Sequence, residues 1–128
     1  MDTREIPRES WIKFFDDFSR EHLGWITTVE LIGPDLGDQE QATALPLLGI
    51  SADLKDRENR IEVTLGGRSG PQQDAHLTHT INDPETVQLK PPDEQGHEAV
   101  EVKSADGTIT LVSFHHTMPY TVERQLPA

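Results

Sequence analysis

Ser51, Asp53 and His79 are the one set of residues whose types match hydroxyl-based catalysis, in which an imidazole held by a carboxylate activates a serine. No nucleophile-elbow pattern surrounds Ser51. His76 and His79, three apart, would chelate a metal from one face of a helix, but on a strand they point to opposite sides. On that reading His79 shares a face with Leu77 and Ile81 and is expected to be a hydrogen-bonded core histidine, with His76 left to solvent or a neighbouring strand. Adjacent His115 and His116 meet the same objection unless one of them joins His76 or His22 across the fold. Asp53, Asp56, Glu58 and Asn59 gather oxygens in one turn, yet Glu58 stands where an EF-hand loop needs glycine for its sharp bend, so a solvated turn is expected. Gly66-Gly67-Arg68-Ser69-Gly70-Pro71 lacks the Gly-Lys-Ser/Thr ending of a phosphate-binding loop and reads as an inter-strand loop. No residue is assigned a catalytic, cofactor-binding or metal-ligating role, and no cofactor is expected.

The elements that would position such groups are clearer than the groups themselves. Trp11, Phe14, Phe15 and Phe18 recur at steps of three and four, which gathers them on one stripe of a helix. Pro7 suits the first helical position, Glu9 the positive end of the dipole, and Gly24 a left-handed stop, so the helix is expected over about residues 7–22. Asp16 and Arg20 are spaced for an i,i+4 ion pair on its wet face.

From Trp25 the apolar period falls from 3.6 to 2, and strands are expected within residues 25–114. They are 25–32, 48–54, 61–65, 76–81, 86–89, 98–104 and 108–114, separated by glycine, proline and asparagine breakers. Asp106-Gly107 suits a two-residue type I′ hairpin turn, which would set Val102 opposite Leu111 and Ser104 opposite Ile109, and a four-residue loop would also keep the apolar faces matched. The final strand is apolar on both faces, as a central strand would be. The expected fold class is α+β: a single domain over residues 1–128, with an amphipathic N-terminal helix packed on a strongly twisted antiparallel β-meander of six or seven strands. Closure into a small barrel is the alternative form. The tail, residues 117–128, is expected to be loose.

Charge and composition narrow the partners. The chain has 23 acidic and 11 basic residues, a net charge of -12, with no Lys/Arg cluster to track phosphates, which argues against nucleic acid and anionic membranes. There is no cysteine, so disulfides and thiolate metal sites are excluded and a reducing cytoplasm is the natural compartment. No stretch has the ~20 apolar residues a membrane-spanning helix needs, and the charged start has no signal-peptide pattern.

Ile6-Pro7, Trp11, Phe18-Ser19-Arg20, His22 and Gly24-Trp25 carry the first part of a wider pattern. It continues through Gly49-Ile50-Ser51-Ala52-Asp53-Leu54, Glu58-Asn59-Arg60-Ile61-Glu62, His76-Leu77-Thr78-His79-Thr80-Ile81 and Ser104-Ala105-Asp106-Gly107-Thr108. Over residues 6–114 the chain thereby resembles a small bacterial family catalogued as a domain of unknown function. The resemblance implies a stand-alone cytoplasmic domain and brings no activity, cofactor or catalytic residue. The expected role is a non-catalytic protein-binding or assembly module that uses a sheet edge to recruit another protein or a second copy. A small-ligand carrier with a pocket between helix and sheet, or a hydrolase-type enzyme, are the alternatives.

Overall fold

The computed structural model describes residues 3–33, 37–55, 58–70, 73–92, 94 and 96–115; Asp56, Pro71, His116 and the 117–128 tail lie outside them. Along the chain come β1 (Arg4–Ile6), a 3-10 turn (Arg8–Ser10), α1 (Trp11–Glu21), β2 (Ile26–Gly33) and β3 (Gly37–Lys55). β4 (Glu58–Gly70), β5 (Gln73–Asn82), β6 (Pro84–Lys90), β7 (Glu98–Ser104) and β8 (Ile109–His115) follow.

The aromatic stripe does what its spacing requires. Trp11, Phe15 and Phe18 are buried and Phe14 is half-buried against them. Trp11 Nε1 donates to the Ile6 carbonyl at 2.8 Å, which ties the start of α1 to β1. Pro7 sits one step earlier than expected, with extended backbone at ψ 144°, capping the 3-10 turn instead of opening the α-helix. Its fixed φ suits either place. Gly24 takes φ +84° and turns the chain into β2. Asp17, not Asp16, forms the ion pairs of the outer face, with Lys13 at 2.9 Å and with Arg20. These two bases hold its carboxyl below the usual carboxylate range, the Lys13 hydrogen bond contributing most.

The eight strands form one antiparallel sheet in the order β1-β6-β7-β8-β2-β3-β4-β5, not closed into a barrel. It is two meanders, β2 to β5 and β6 to β8, joined where β8 pairs with β2. β8 is therefore central, as its two apolar faces require. One strand is additional to the expected six or seven, β1, only 3 residues long, and β3 is lengthened by a polar first half that lies outside the expected strands. β3 is long because it serves two partners. Its first half pairs with β2 as far as Pro46, and from Leu47 it pairs with β4. Proline has no N–H for the ladder, and just past it Leu47 makes its last bonds on that side to the chain before β2, its N–H donating to the Trp25 carbonyl and its carbonyl accepting from the Gly24 N–H, both at 2.9 Å.

Past that exchange the flank of β3 that β2 leaves is taken by α1. The Ser19 hydroxyl accepts from Ile50 N–H at 2.9 Å and donates to the Ile50 carbonyl at 3.0 Å. One hydroxyl thus satisfies the N–H and C=O that a neighbouring strand would otherwise satisfy.

The β7–β8 hairpin departs from the expected register by one residue. Val102 faces Thr110 and Val100 faces Val112, while Leu111 and Ile109 turn to the other side. The loop is Ala105-Asp106-Gly107, closed by Ser104 N–H to the Thr108 carbonyl at 2.9 Å, with Gly107 alone at positive φ, +91°. Asp106 keeps negative φ and its carboxylate accepts the Thr108 N–H at 2.9 Å, so the three-residue loop displaces the type I′ turn. That hydrogen bond also lowers the Asp106 carboxyl below its ordinary value. The slip is favoured by packing: it sends Val112 and the wholly buried Phe114 inward at the cost of a buried threonine, Thr110. Gly66 to Gly70, expected as loop, instead extend β4 against β5.

Candidate functional site

His22, the first residue after α1, continues the aromatic stripe by one more step of four and is only 6% exposed. Its ring stacks on Phe18 with centroids 3.8 Å apart and meets Trp25 at 4.4 Å and Phe114 at 5.8 Å. Nδ1 lies 2.9 Å from the Phe18 carbonyl and Nε2 lies 2.9 Å from Glu98 Oε1. A carbonyl only accepts, so Nδ1 carries a proton and donates. Nε2 then faces the Glu98 carboxylate across the 2.9 Å contact. This places a histidine–carboxylate pair between α1 and β7, in a cleft of about 290 Å³ that Arg4, Phe14 and Leu89 also line.

Such a pair can hold or pass a proton, but among the described residues lining this cleft none carries a hydroxyl, thiol or amine nucleophile. Both ring nitrogens are already engaged. The pair therefore works as a clamp: His22 spends its hydrogen bonds joining the end of the helix to the sheet. Sequence reasoning missed the pair because Glu98 is 76 residues away along the chain. The usable signal was the step from Phe18 to His22, which puts a polar ring on an apolar stripe.

The expected constellations fare differently. His76 and His79 do lie on opposite sides of β5: His76 is exposed, and His79 is half-buried opposite Val63. Burial lowers the His79 imidazole below its ordinary pKa by desolvation. Its expected hydrogen bond is not formed with any described residue. Ser51 and Asp53 alternate with Ile50 and Ala52, opposite Glu62 and Arg60, so they occupy the face away from His79 and do not converge with it. Asp53 approaches Arg60 at 3.9 Å, and Asn59 uses its carbonyl to accept the Asp83 N–H.

His115 joins neither His76 nor His22. Opposite Ile26 on the outward face, its ring lies edge-on to His97 with centroids 4.1 Å apart. The two rings, with Thr28, Glu30, Ser113 and Lys90, line a second cleft of about 440 Å³. Lys90 pairs there with Glu101 at 3.2 Å. Among the described residues no three histidine, aspartate or glutamate side chains gather as a metal set would.

The two ends of the sheet contrast sharply. β1 ends it on one side with 3 residues, two of them charged, and Pro7 follows directly. β5 ends it on the other with 10 residues, Gln73-Asp74-Ala75-His76-Leu77-Thr78-His79-Thr80-Ile81-Asn82, among which there is no lysine or proline. Alternate N–H and C=O groups of β5 point away from β4, and no described strand meets them.

No helix among the described residues is long and apolar enough to cross a membrane. Residues 2–122 match the model of a family of unknown function, DUF5335. An uncharacterized protein of Aquifex aeolicus (strain VF5) is 28% identical over 120 residues, which covers 93% of this chain and 97% of the relative. No solved structure matches the chain.

Proposed function

We infer, for a chain that belongs to the DUF5335 family of unknown function, that it is a non-catalytic protein-binding module that takes an extended segment of a partner protein along β5. The observation that carries this reading is the long edge strand without the usual safeguards. Natural edges are blunted by brevity, lysine, proline or bulges, and β1 has the first and is followed by the third while β5 has neither lysine nor proline. Strand addition gives main-chain hydrogen bonds at such an edge, and side-chain pockets on alternate residues give selectivity. A net charge of -12 sets two copies of the chain against each other and favours a basic segment over self-pairing. The cysteine-free composition supports a reducing compartment, the cytoplasm.

Photoreactive side chains placed singly at His76, Thr78 and Thr80, with Glu5 on β1 as control, test the reading in cytosol of the source cell. The expected result is cross-links to one partner segment, stepping by two residues as the probe steps by two. Cross-links that are absent from β5, or as frequent from Glu5, would remove the proposal. A small-ligand carrier is the second reading, supported by the cleft between α1 and the sheet. Its two innermost polar side chains, His22 and Glu98, are already joined to each other, which makes it the weaker of the two.

A further inference from the structure

The core-facing side of β5 carries Leu77, His79 and Ile81, opposite Leu65, Val63 and Ile61 of β4. Ile81 is buried, whereas Leu77 and His79 are only half-covered because nothing described lies beyond them in the sheet. A strand added at this edge would place its own alternate side chains beside them, directly opposite in the ladder.

Three other polar side chains in contact with the core are engaged: Trp11 Nε1 with the Ile6 carbonyl, Ser19 with Ile50, and His22 with Phe18 and Glu98. His79 stands apart from them. It sits between two aliphatic side chains, half-buried, with no hydrogen bond to a described residue. Desolvation favours its neutral ring, which offers one N–H donor and one bare nitrogen acceptor. A charged group brought against it would lose its own hydration among Leu77, Val63 and Ile81, whereas a hydroxyl costs less to bury and can meet either ring nitrogen.

Resting on the protein-binding reading above, we propose that the β5 edge selects a segment with a hydroxyl-bearing residue, threonine or serine, directly opposite His79 and an aliphatic residue opposite Leu77. The intervening residues of the segment face outward beside His76, Thr78 and Thr80, where basic side chains suit the acidic chain.

Two acetylated and amidated decapeptides that alternate valine with lysine serve as probes, the second with threonine in place of the central valine. The two side chains have nearly the same shape and differ by a hydroxyl for a methyl. Affinity is read by titration, and the site by amide chemical shifts of β5. The threonine peptide is expected to bind about fivefold more tightly, the yield of roughly one net hydrogen bond. The preference should vanish in His79→Leu and persist in His79→Gln, which keeps a donor and an acceptor. Equal affinities for the two peptides, with β5 amides shifting in both, would overturn this inference and leave the edge reading standing. A threonine preference that survived in His79→Leu would overturn it too. If neither peptide moved the β5 amides, the edge reading and this inference would fall together.

Discussion

Phe18 ties α1 to its neighbours through three rings: it stacks on His22, meets Phe114 edge-on at 5.0 Å and lies 5.5 Å from Phe14. Phe18→Ala is expected to cost about 3 to 5 kcal/mol, through lost transfer energy and a cavity that the packed rings cannot refill. Denaturant midpoints check it, and a midpoint equal to the parent's would mean that α1 is not docked. Asp17→Ala, one position earlier, removes only solvent-exposed ion pairs with Lys13 and Arg20 and should be almost silent in the same experiment. His79 carries a pH prediction. Its folded pKa lies below the unfolded value of 6.5, so the folded chain binds the proton less readily than the unfolded chain. The associated stability is present above pH ~6.5 and is lost as pH falls through the folded value. In melts between pH 7.5 and about 5, the parent should lose more stability than His79→Leu; parallel pH profiles would refute the assignment.

At the scale of elements, α1 acts partly as a substitute strand. Its Ser19 hydroxyl closes the backbone of Ile50 on the flank that β2 abandons at Pro46. Ser19→Ala leaves an N–H and a C=O beneath the helix without that partner. The expected loss is about 1 to 3 kcal/mol, much more than for alanine at an exposed helical serine. Urea unfolding measures the loss, and amide exchange at Ile50 localises it: faster exchange there than at Val63 would show that the seam opens first. A loss below ~0.5 kcal/mol would mean that water replaces the hydroxyl and that the seam is already wet.

For the whole molecule, charge is the main influence on stability beyond the core. With 23 acids against 11 bases, self-repulsion opposes the compact state at low salt. Raising KCl from about 0.01 M to 1 M shortens the screening length from roughly 30 Å to 3 Å while leaving the buried aromatic contacts intact. The melting temperature should therefore rise with KCl, and rise more than in a sucrose series that controls for general exclusion effects. A flat or falling profile would mean that local pairs such as Lys13–Asp17 and Lys90–Glu101 already compensate the carboxylates.

Local periodicity by itself determined the aromatic helix, the class of the fold, the central place of β8 and the split of His76 from His79, because each follows from 3.6- or two-residue spacing within one element. The type of turn at Asp106-Gly107 did not follow. Two- and three-residue loops are both open to that pair, and the choice was made by Val112 and Phe114 reaching the core, a contact with strands far along the chain. The first half of β3 was equally illegible, since its polar run Asp38-Gln39-Glu40-Gln41 has no apolar alternation and becomes a strand only because β2 lies beside it. The His22–Glu98 contact and the place of β5 at the end of the sheet belong to the same class. One joins residues 76 apart, and the other is a property of strand order, which is decided when eight strands compete for neighbours and not by any residue within them.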